Sequence, residues 1–173
     1  MAAPACLDLY RLSSPAFALL RLSSPVSSRA STALRDPVIV DFAVLADYAL
    51  VDQHGKLSVM GIFQHVWVQT FPAVHPRTHL VLRVRGKRVE IGAHPVRIRF
   101  VDQNGTELVG GEGSLQFGEP PAGVTEIEAG AVLVFDVPLP QPGQYAFEIQ
   151  VDGQAAHRVP LTASALPAQG TLH

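Results

Sequence analysis

The chain has 173 residues, of which 47% are apolar, and its formal net charge at pH 7 is −2. This length suffices for one domain with a substantial core, and the weak charge excludes a strong general attraction to nucleic acid or anionic membrane. The single cysteine, Cys6, excludes an internal disulfide and a cysteine-rich zinc site, which suits a reducing cytoplasm.

Residues 1–37 differ in composition from the rest of the chain. They repeat the motif R-L-S-S-P at Arg11–Pro15 and Arg21–Pro25, and they are rich in serine and arginine. This composition resembles an organellar transit peptide, but we favour a disordered tail or a start site assigned too far upstream. No apolar run here or later reaches the roughly 20 residues of a membrane-spanning helix. We therefore expect the folded domain to begin at Val38.

After this tail, apolar residues recur with a period of two, the pattern of half-buried strands. The first run, residues 38–50, places apolar side chains at even positions and aspartates at odd ones, which predicts that the even positions face the core. The next run, residues 57–68, is apolar on both faces around Gly61. That pattern predicts a central strand with a bulge or bend.

Six further runs predict strands, and all show the same alternation except residues 107–117, which Gly110-Gly111-Glu112-Gly113 interrupts and which we expect to be bulged. They lie at or near residues 80–84, 96–100, 107–117, 131–137, 145–151 and 157–162. Pro160 has no amide hydrogen to donate and marks the last run as an edge strand. About eight strands at such spacings predict an all-β fold, a two-sheet antiparallel β-sandwich that is immunoglobulin-like or Greek-key. We expect the domain to span residues 38–163, followed by a flexible tail, 164–173.

Two predicted turns share the motif V-D-Q-x-G-x-x-x-V-x-G, which begins at Val51 and again at Val101. Asp, Asn and Gly tolerate the left-handed backbone that tight turns between strands need. The motif therefore predicts hairpins at both places, with Gly55 and Gly105 at positive φ.

Alternation of strand direction assigns the connections to two ends of the sandwich. The first end is predicted to collect the turn at Gln53, the loops 86–94 and 118–130, and the turn at Gly153. The second end is predicted to collect the loop 69–77 and the turns at Asn104 and Gly143. Since loop 86–94 is basic and loop 118–130 is acidic, we expect their charges to attract at the first end.

Charge is distributed unevenly along the chain. Residues 77–99 contain seven bases and one acid, a net of +6, whereas residues 100–157 contain nine acids and no base, a net of −9. Four arginines occupy outward positions on two strands that we expect to be neighbours: Arg83, Arg85, Arg97 and Arg99. We predict one basic patch that binds an acidic protein partner or a second copy of the chain. The alternative is pairing with acids of the same chain.

A second candidate surface lies around the loop 69–77. Trp67 and Phe71 flank this loop, with His75 inside it. Exposed aromatic rings form ligand platforms in carbohydrate-binding sandwiches. More often, such rings close the end of a hydrophobic core.

The sequence predicts neither a catalytic residue nor a cofactor or metal site. His75 and His79 are four residues apart, but Pro76 lies between them in an extended segment, so their rings need not converge on a metal. Ser58 and Ser114 lack the G-x-S-x-G context of an activated serine, and nothing places two carboxylates across a cleft.

Two segments resemble a known family. The opening A-D-Y…G-K-L…G-I-F lies within residues 46–63, and the ending P-G-Q-Y-A-F-E-I-Q-V-D-G spans Pro142 to Gly153. Together they resemble a family of small bacterial β-sandwich proteins of unknown function, over roughly residues 40–163. The ending is also shared with many immunoglobulin-like domains, in which a tyrosine stabilises a corner. The resemblance implies a fold and carries over no activity.

From the sequence we expect a non-catalytic cytoplasmic binding or interaction module, with an acidic partner or a homodimer as its assembly. We expect no cofactor, nucleic acid or membrane as a partner. Two alternatives stay open: a hydrolase that uses surface carboxylates or histidines, and a carbohydrate-binding sandwich that uses Trp67 and Phe71.

Overall fold

The computed structural model describes residues 38–53 and 56–167, and the predictions for residues 1–37 and for Gly55 lie outside them. The strands are β1 (Ile39–Val51), β2 (Leu57–Phe63), β3 (His65–Val68), β4 (Ala73–Lys87), β5 (Gly92–Asp102), β6 (Glu107–Phe117), β7 (Glu126–Leu139), β8 (Gly143–Val151) and β9 (Gln154–Ala165). A single 3₁₀ turn, Arg88–Glu90, joins β4 to β5. Among the described residues, no helix has the length and apolar character to cross a membrane.

The strands form two sheets, which confirms the predicted all-β sandwich. A four-stranded sheet has the order β2-β1-β4-β7, and a five-stranded sheet has the order β3-β9-β8-β5-β6. Their inner faces share one apolar core. The ring of Phe147 on β8 lies 5.2 Å from that of Phe135 on β7 and 4.8 Å from that of Phe100 on β5, so aromatic rings join the sheets.

A β-bulge early in β1 overturns the prediction for its faces. The register with β4 shifts between Val40 and Phe42, and the extra residue reverses which face each later side chain takes. Beyond the bulge, Leu45 at an odd position is fully buried, whereas Tyr48 and Leu50 at even positions are 48% and 41% exposed. The even positions therefore face the core only before the bulge.

The run 57–68 is two strands in different sheets, not one central strand. A bend at Gln64 separates β2, at the edge of the four-stranded sheet, from β3, at the edge of the five-stranded sheet. β3 pairs with β9 in parallel, whereas the pairings of the other described strands are antiparallel. Inward positions are odd in β2 (Phe63) and even in β3 (Val66, Val68), so the change of sheet accounts for part of the apolar pattern on both faces.

The extra strand also corrects the assignment of the two ends. β1 runs antiparallel to β4, which runs antiparallel to β7, so the Gln53 turn lies at the end that holds the turns at Asn104 and Gly143. The loops 86–94 and 118–130 and the turn at Gly153 occupy the opposite end, as predicted. We call that opposite end the upper end. The prediction for the Gln53 turn was wrong because the chain reverses direction at Gln64, between β2 and β3, where the sequence predicted a single strand.

The last strand runs slightly further than predicted, to Ala165. Pro160 lies opposite Ala146 of β8, and β3 begins to pair with β9 only at Thr162. β9 is not an edge strand, because β8 and β3 lie on its two sides. At Pro160, however, β8 is the only described strand beside it. A proline has no amide hydrogen to donate to a second neighbouring strand, so it fits this position.

Candidate functional site

The four outward arginines do not form one patch. Arg83 and Arg85 lie on β4 in the four-stranded sheet, whereas Arg97 and Arg99 lie on β5 in the five-stranded sheet. The 3₁₀ turn between β4 and β5 carries the chain from one sheet to the other. Since both pairs point away from the core, they face opposite sides of the molecule, and the prediction of neighbouring strands was wrong.

The arginines of β4 are paired with acids of their own sheet. Arg83 lies 2.9 Å from Asp41 and 3.6 Å from Glu128, and Arg85 lies 2.6 Å from the other oxygen of Asp41. The hydrogen bond from Arg85 is the main cause that holds the pKa of Asp41 below its ordinary value. Much of the positive charge at this place is therefore neutralised within the chain.

The arginines of β5 are paired in the same way on the other sheet. Arg99 lies 2.8 Å from Glu107 and 3.5 Å from Glu148, and Arg97 lies 3.5 Å from both Glu107 and Glu112. Pairing within the chain, the alternative raised by the sequence, is what the geometry shows for both pairs of arginines.

The predicted attraction between the two upper loops is also intramolecular. Arg88 lies 2.9 Å from Glu119, and both side chains are largely exposed. Lys87 stands opposite Glu126 in the β4–β7 ladder. An ion pair therefore joins the two loops, although exposed pairs of this kind contribute at most about 1 kcal/mol each to the free energy of unfolding.

The candidate loop surface around Trp67 is divided. The indole of Trp67 is 55% exposed and stacks on the ring of His65, with centroids 4.5 Å apart. The ring of Phe71 instead packs against the core. His75 packs beside Phe63, and burial lowers its pKa. One exposed aromatic pair is thus present, but a platform shared by Trp67 and Phe71 is not.

His94 is a buried residue that the sequence did not single out. It is 1% exposed, and its Nδ1 and Nε2 lie 2.7 Å from a carboxylate oxygen of Asp152 and 2.7 Å from the carbonyl oxygen of Glu90. Because both ring nitrogens already face oxygen acceptors, the ring has no free nitrogen with which to activate a nucleophile. It ties the β8–β9 turn to β5 and to the 3₁₀ turn.

The outer face of the four-stranded sheet carries exposed apolar side chains. We call the following four residues the outer patch: Tyr48 (48% exposed), Leu50 (41%), Met60 (66%) and Ile62 (61%). Tyr48 stands directly opposite Met60, and Ile62 stands opposite Ala46. Isolated exposed apolar residues are ordinary, whereas a contiguous group marks an interaction surface.

The outer face stays apolar beyond the outer patch. Ala46 and Val81, on β1 and β4, are fully buried although neither belongs to the inner core. Val132 and Val134 continue the same rows on β7, opposite Val81 and His79. The outer face is therefore apolar from β1 to β7, with Val132 and Val134 partly exposed on it.

His79 lies on the same outer face, beside the outer patch. Its side chain is 4% exposed, and the ring of Tyr48 meets it edge-on with centroids 5.6 Å apart. No hydrogen-bond partner for its Nδ1 is present among the described residues. Tyr48 thus covers a histidine in an apolar setting, and the described ranges hold no group of three or more metal-ligating side chains.

Sequence reasoning missed the outer patch because it assigned Tyr48 and Leu50 to the core. One signal was present. The run 57–68 is apolar on both faces, and two apolar faces require two different partners. The inner face packs in the sandwich, and the outer face of β2 carries Met60 and Ile62.

Comparison with known proteins adds a family and no activity. The model of a family of unknown function, DUF6941, matches residues 41–164, which extend from β1 into β9. No curated protein matches the sequence. The family's unknown function agrees with the resemblance that the two sequence segments indicated.

Proposed function

The chain belongs to DUF6941, a family of unknown function, and we propose that it is a non-catalytic protein-interaction module. The observation that supports this proposal is the outer patch on the four-stranded sheet, an apolar surface flanked by paired charges. Surfaces of this composition, with apolar residues at the centre and polar residues at the rim, are typical of protein interfaces. A cytoplasmic location is part of the proposal and is compatible with the single cysteine.

The alternatives have less geometric support. A carbohydrate platform of Trp67 and Phe71 would need both rings at the surface, and Phe71 packs against the core. A hydrolase that used the His94–Asp152 pair would need a ring nitrogen free to accept a proton, and both nitrogens face oxygen atoms. An acidic partner is also less favoured, because the arginines already hold carboxylates.

The experiment is affinity purification from extracts of the source organism with three forms of the full chain. One is unchanged, one carries Met60→Ser and Ile62→Ser, and one carries Val89→Ser and Val124→Ser. The last form is the matched control, because Val89 and Val124 are also exposed, by 67% and 41%, but lie near the upper loops. We expect proteins retained by the unchanged and control forms to be lost with the first variant. Identical retained proteins in all three would contradict the proposal.

A further inference from the structure

We infer that the outer patch binds a second copy of this chain, so that two four-stranded sheets pack face to face across a two-fold axis. This inference rests on the proposed function, because it names the partner of the same surface. A two-fold contact uses one patch twice, so the patch must be compatible with itself in shape, chemistry and charge.

The shape and the chemistry meet this condition. The exposed members of the outer patch lie on two adjacent strands, with Tyr48 opposite Met60, and smaller, partly exposed valines such as Val44 and Val132 lie on the same face. Large side chains beside small ones allow two such faces to interdigitate at the separation of about 10 Å that stacked sheets adopt.

The area is of the required order. Four large side chains with exposures of 41–66% present on the order of 400 Å² of apolar surface, within the range of functional patches on monomers. A standard interface buries about 800 Å² on each partner. Val44, Val132 and Val134, all partly exposed on the same face, extend the contact area towards that value.

The charge on the rest of the face favours a second copy over an oppositely charged partner. Its upper part carries three acids, Asp41, Glu126 and Glu128, and three bases, Arg83, Arg85 and Lys87, which sum to zero. A rim of one sign would repel its own copy and attract an oppositely charged protein or membrane. The upper part of this face, whose charges balance, does neither.

Strand addition at the edge of β2 that has no described strand beside it is a weaker arrangement. Gly61, in the middle of β2, has φ +67°, which turns the edge out of the extended geometry that a continuous ladder needs. A new strand would also leave the outer patch in solvent. Packing through the face is the arrangement that covers the patch.

The test is sedimentation equilibrium of the purified full chain over a wide range of concentrations. We expect the unchanged chain and the Val89→Ser/Val124→Ser control to form dimers. The Met60→Ser/Ile62→Ser variant removes four apolar side chains from each dimer and should weaken dimerisation by roughly a hundredfold or more. Circular dichroism and the unfolding midpoint at low concentration verify that the variants fold. Should the double variant not fold, the single Met60→Ser variant replaces it.

Two outcomes overturn the inference. One is a monomer at all concentrations of the unchanged chain, and the other is a dimer that survives the patch substitutions. Sedimentation can show no dimer that depends on the outer patch while the affinity purification still retains different proteins with the patch variant and with its control. In that case another protein occupies the surface, and the proposed function stands. If both experiments show no difference, the surface is not an interface.

Discussion

At the scale of single residues, the turn between β5 and β6 shows how a short motif sets a backbone conformation. The Asp102 carboxylate accepts hydrogen bonds from the amides of Asn104 and Thr106, at 2.8 and 2.9 Å. The amide of Gly105 donates to the Asp102 carbonyl at 3.0 Å. Gly105 has φ +80°, which confirms the prediction for this turn.

The first copy of the motif uses its aspartate in a related way. Asp52 accepts the amide hydrogen of Lys56 at 2.8 Å through its carboxylate and donates its own amide hydrogen to the Lys56 carbonyl at 2.9 Å. Since Gly55 lies outside the described residues, its positive φ stays a prediction. The shared V-D-Q-x-G sequence thus gives both aspartates the same carboxylate acceptor role.

Replacement of Gly105 by alanine tests the left-handed backbone separately from steric crowding. No atom lies within 4 Å of a Cβ built at Gly105, so we expect a loss of about 1 kcal/mol from backbone strain alone. Gly111→Ala is the control, since its Cβ would also meet nothing within 4 Å and its φ is not positive. It should be neutral or stabilising by up to about 1 kcal/mol. Equal effects in urea unfolding would show that φ is not the cause.

The same turn predicts a dependence of stability on pH. The hydrogen bond from the Thr106 amide is the main cause that lowers the pKa of Asp102 from its ordinary value of 3.8. A carboxyl whose pKa is lowered on folding stabilises the protein above its unfolded pKa and loses this effect as pH falls through the folded value. Asp102→Asn keeps the acceptor oxygen and removes the titration. Its melting temperature should therefore fall less than that of the unchanged chain below about pH 4; parallel curves would contradict this.

At the scale of elements, the connection from β7 to β8 is held by a tyrosine. The hydroxyl of Tyr145 donates to the Gln141 carbonyl at 2.5 Å and accepts from the Gln141 amide at 3.3 Å. Tyr145 is 4% exposed, and its ring stacks on Phe100. The hydrogen bonds thus fix the turn while the ring belongs to the core, a use of tyrosine that the P-G-x-Y-x-F segment had indicated.

Tyr145→Phe should destabilise the protein by about 0.5–1.5 kcal/mol, because it removes the hydrogen bonds to the Gln141 backbone while the ring stays in place. Tyr48→Phe is the comparison, since Tyr48 is 48% exposed and its substitution should change stability by less than about 0.5 kcal/mol. Denaturant unfolding of both variants checks the difference. A Tyr145→Phe midpoint equal to that of Tyr48→Phe would mean that the hydrogen bonds do not stabilise the turn.

At the scale of the whole molecule, the uneven charge of the sequence becomes separate, locally paired groups. One group joins β4 to Asp41 and Glu128 on the outer face of the four-stranded sheet. Another joins β5 to Glu107 and Glu148 on the opposite face. The core lies between them, so the groups do not share partners and should act independently.

Double-mutant cycles test this separation. Arg83→Ala and Arg97→Ala should have additive effects on stability, with a coupling below about 0.3 kcal/mol, because the residues lie on opposite faces. Arg99→Ala and Glu107→Ala should couple by up to about 1 kcal/mol, since their side chains are 2.8 Å apart and partly exposed. High salt should reduce the second coupling. A sizeable Arg83–Arg97 coupling would restore the single basic patch that the sequence predicted.

The sequence by itself determined the features that depend on near neighbours in the chain. Alternation over a few residues specified strands such as β4 and β5, with Leu82 and Ile98 in the core, because side chains on a strand point to opposite faces in turn. The left-handed Gly105 followed from its neighbours in the turn. The opposite charges of the loops 86–94 and 118–130 also lie close together as expected, since the strands that these loops join start or end at the upper end.

Only the tertiary structure decided which strands lie side by side. The local sequence does not show whether the 3₁₀ turn carries the chain into the other sheet or leaves β5 beside β4. From the sequence alone, the four arginines were therefore assigned to one face. Likewise, one extra residue near Phe42 reverses every later side chain of β1, and that bulge exists only in relation to β4. The outer patch follows from this non-local register, which is why Tyr48 and Leu50 were read as core.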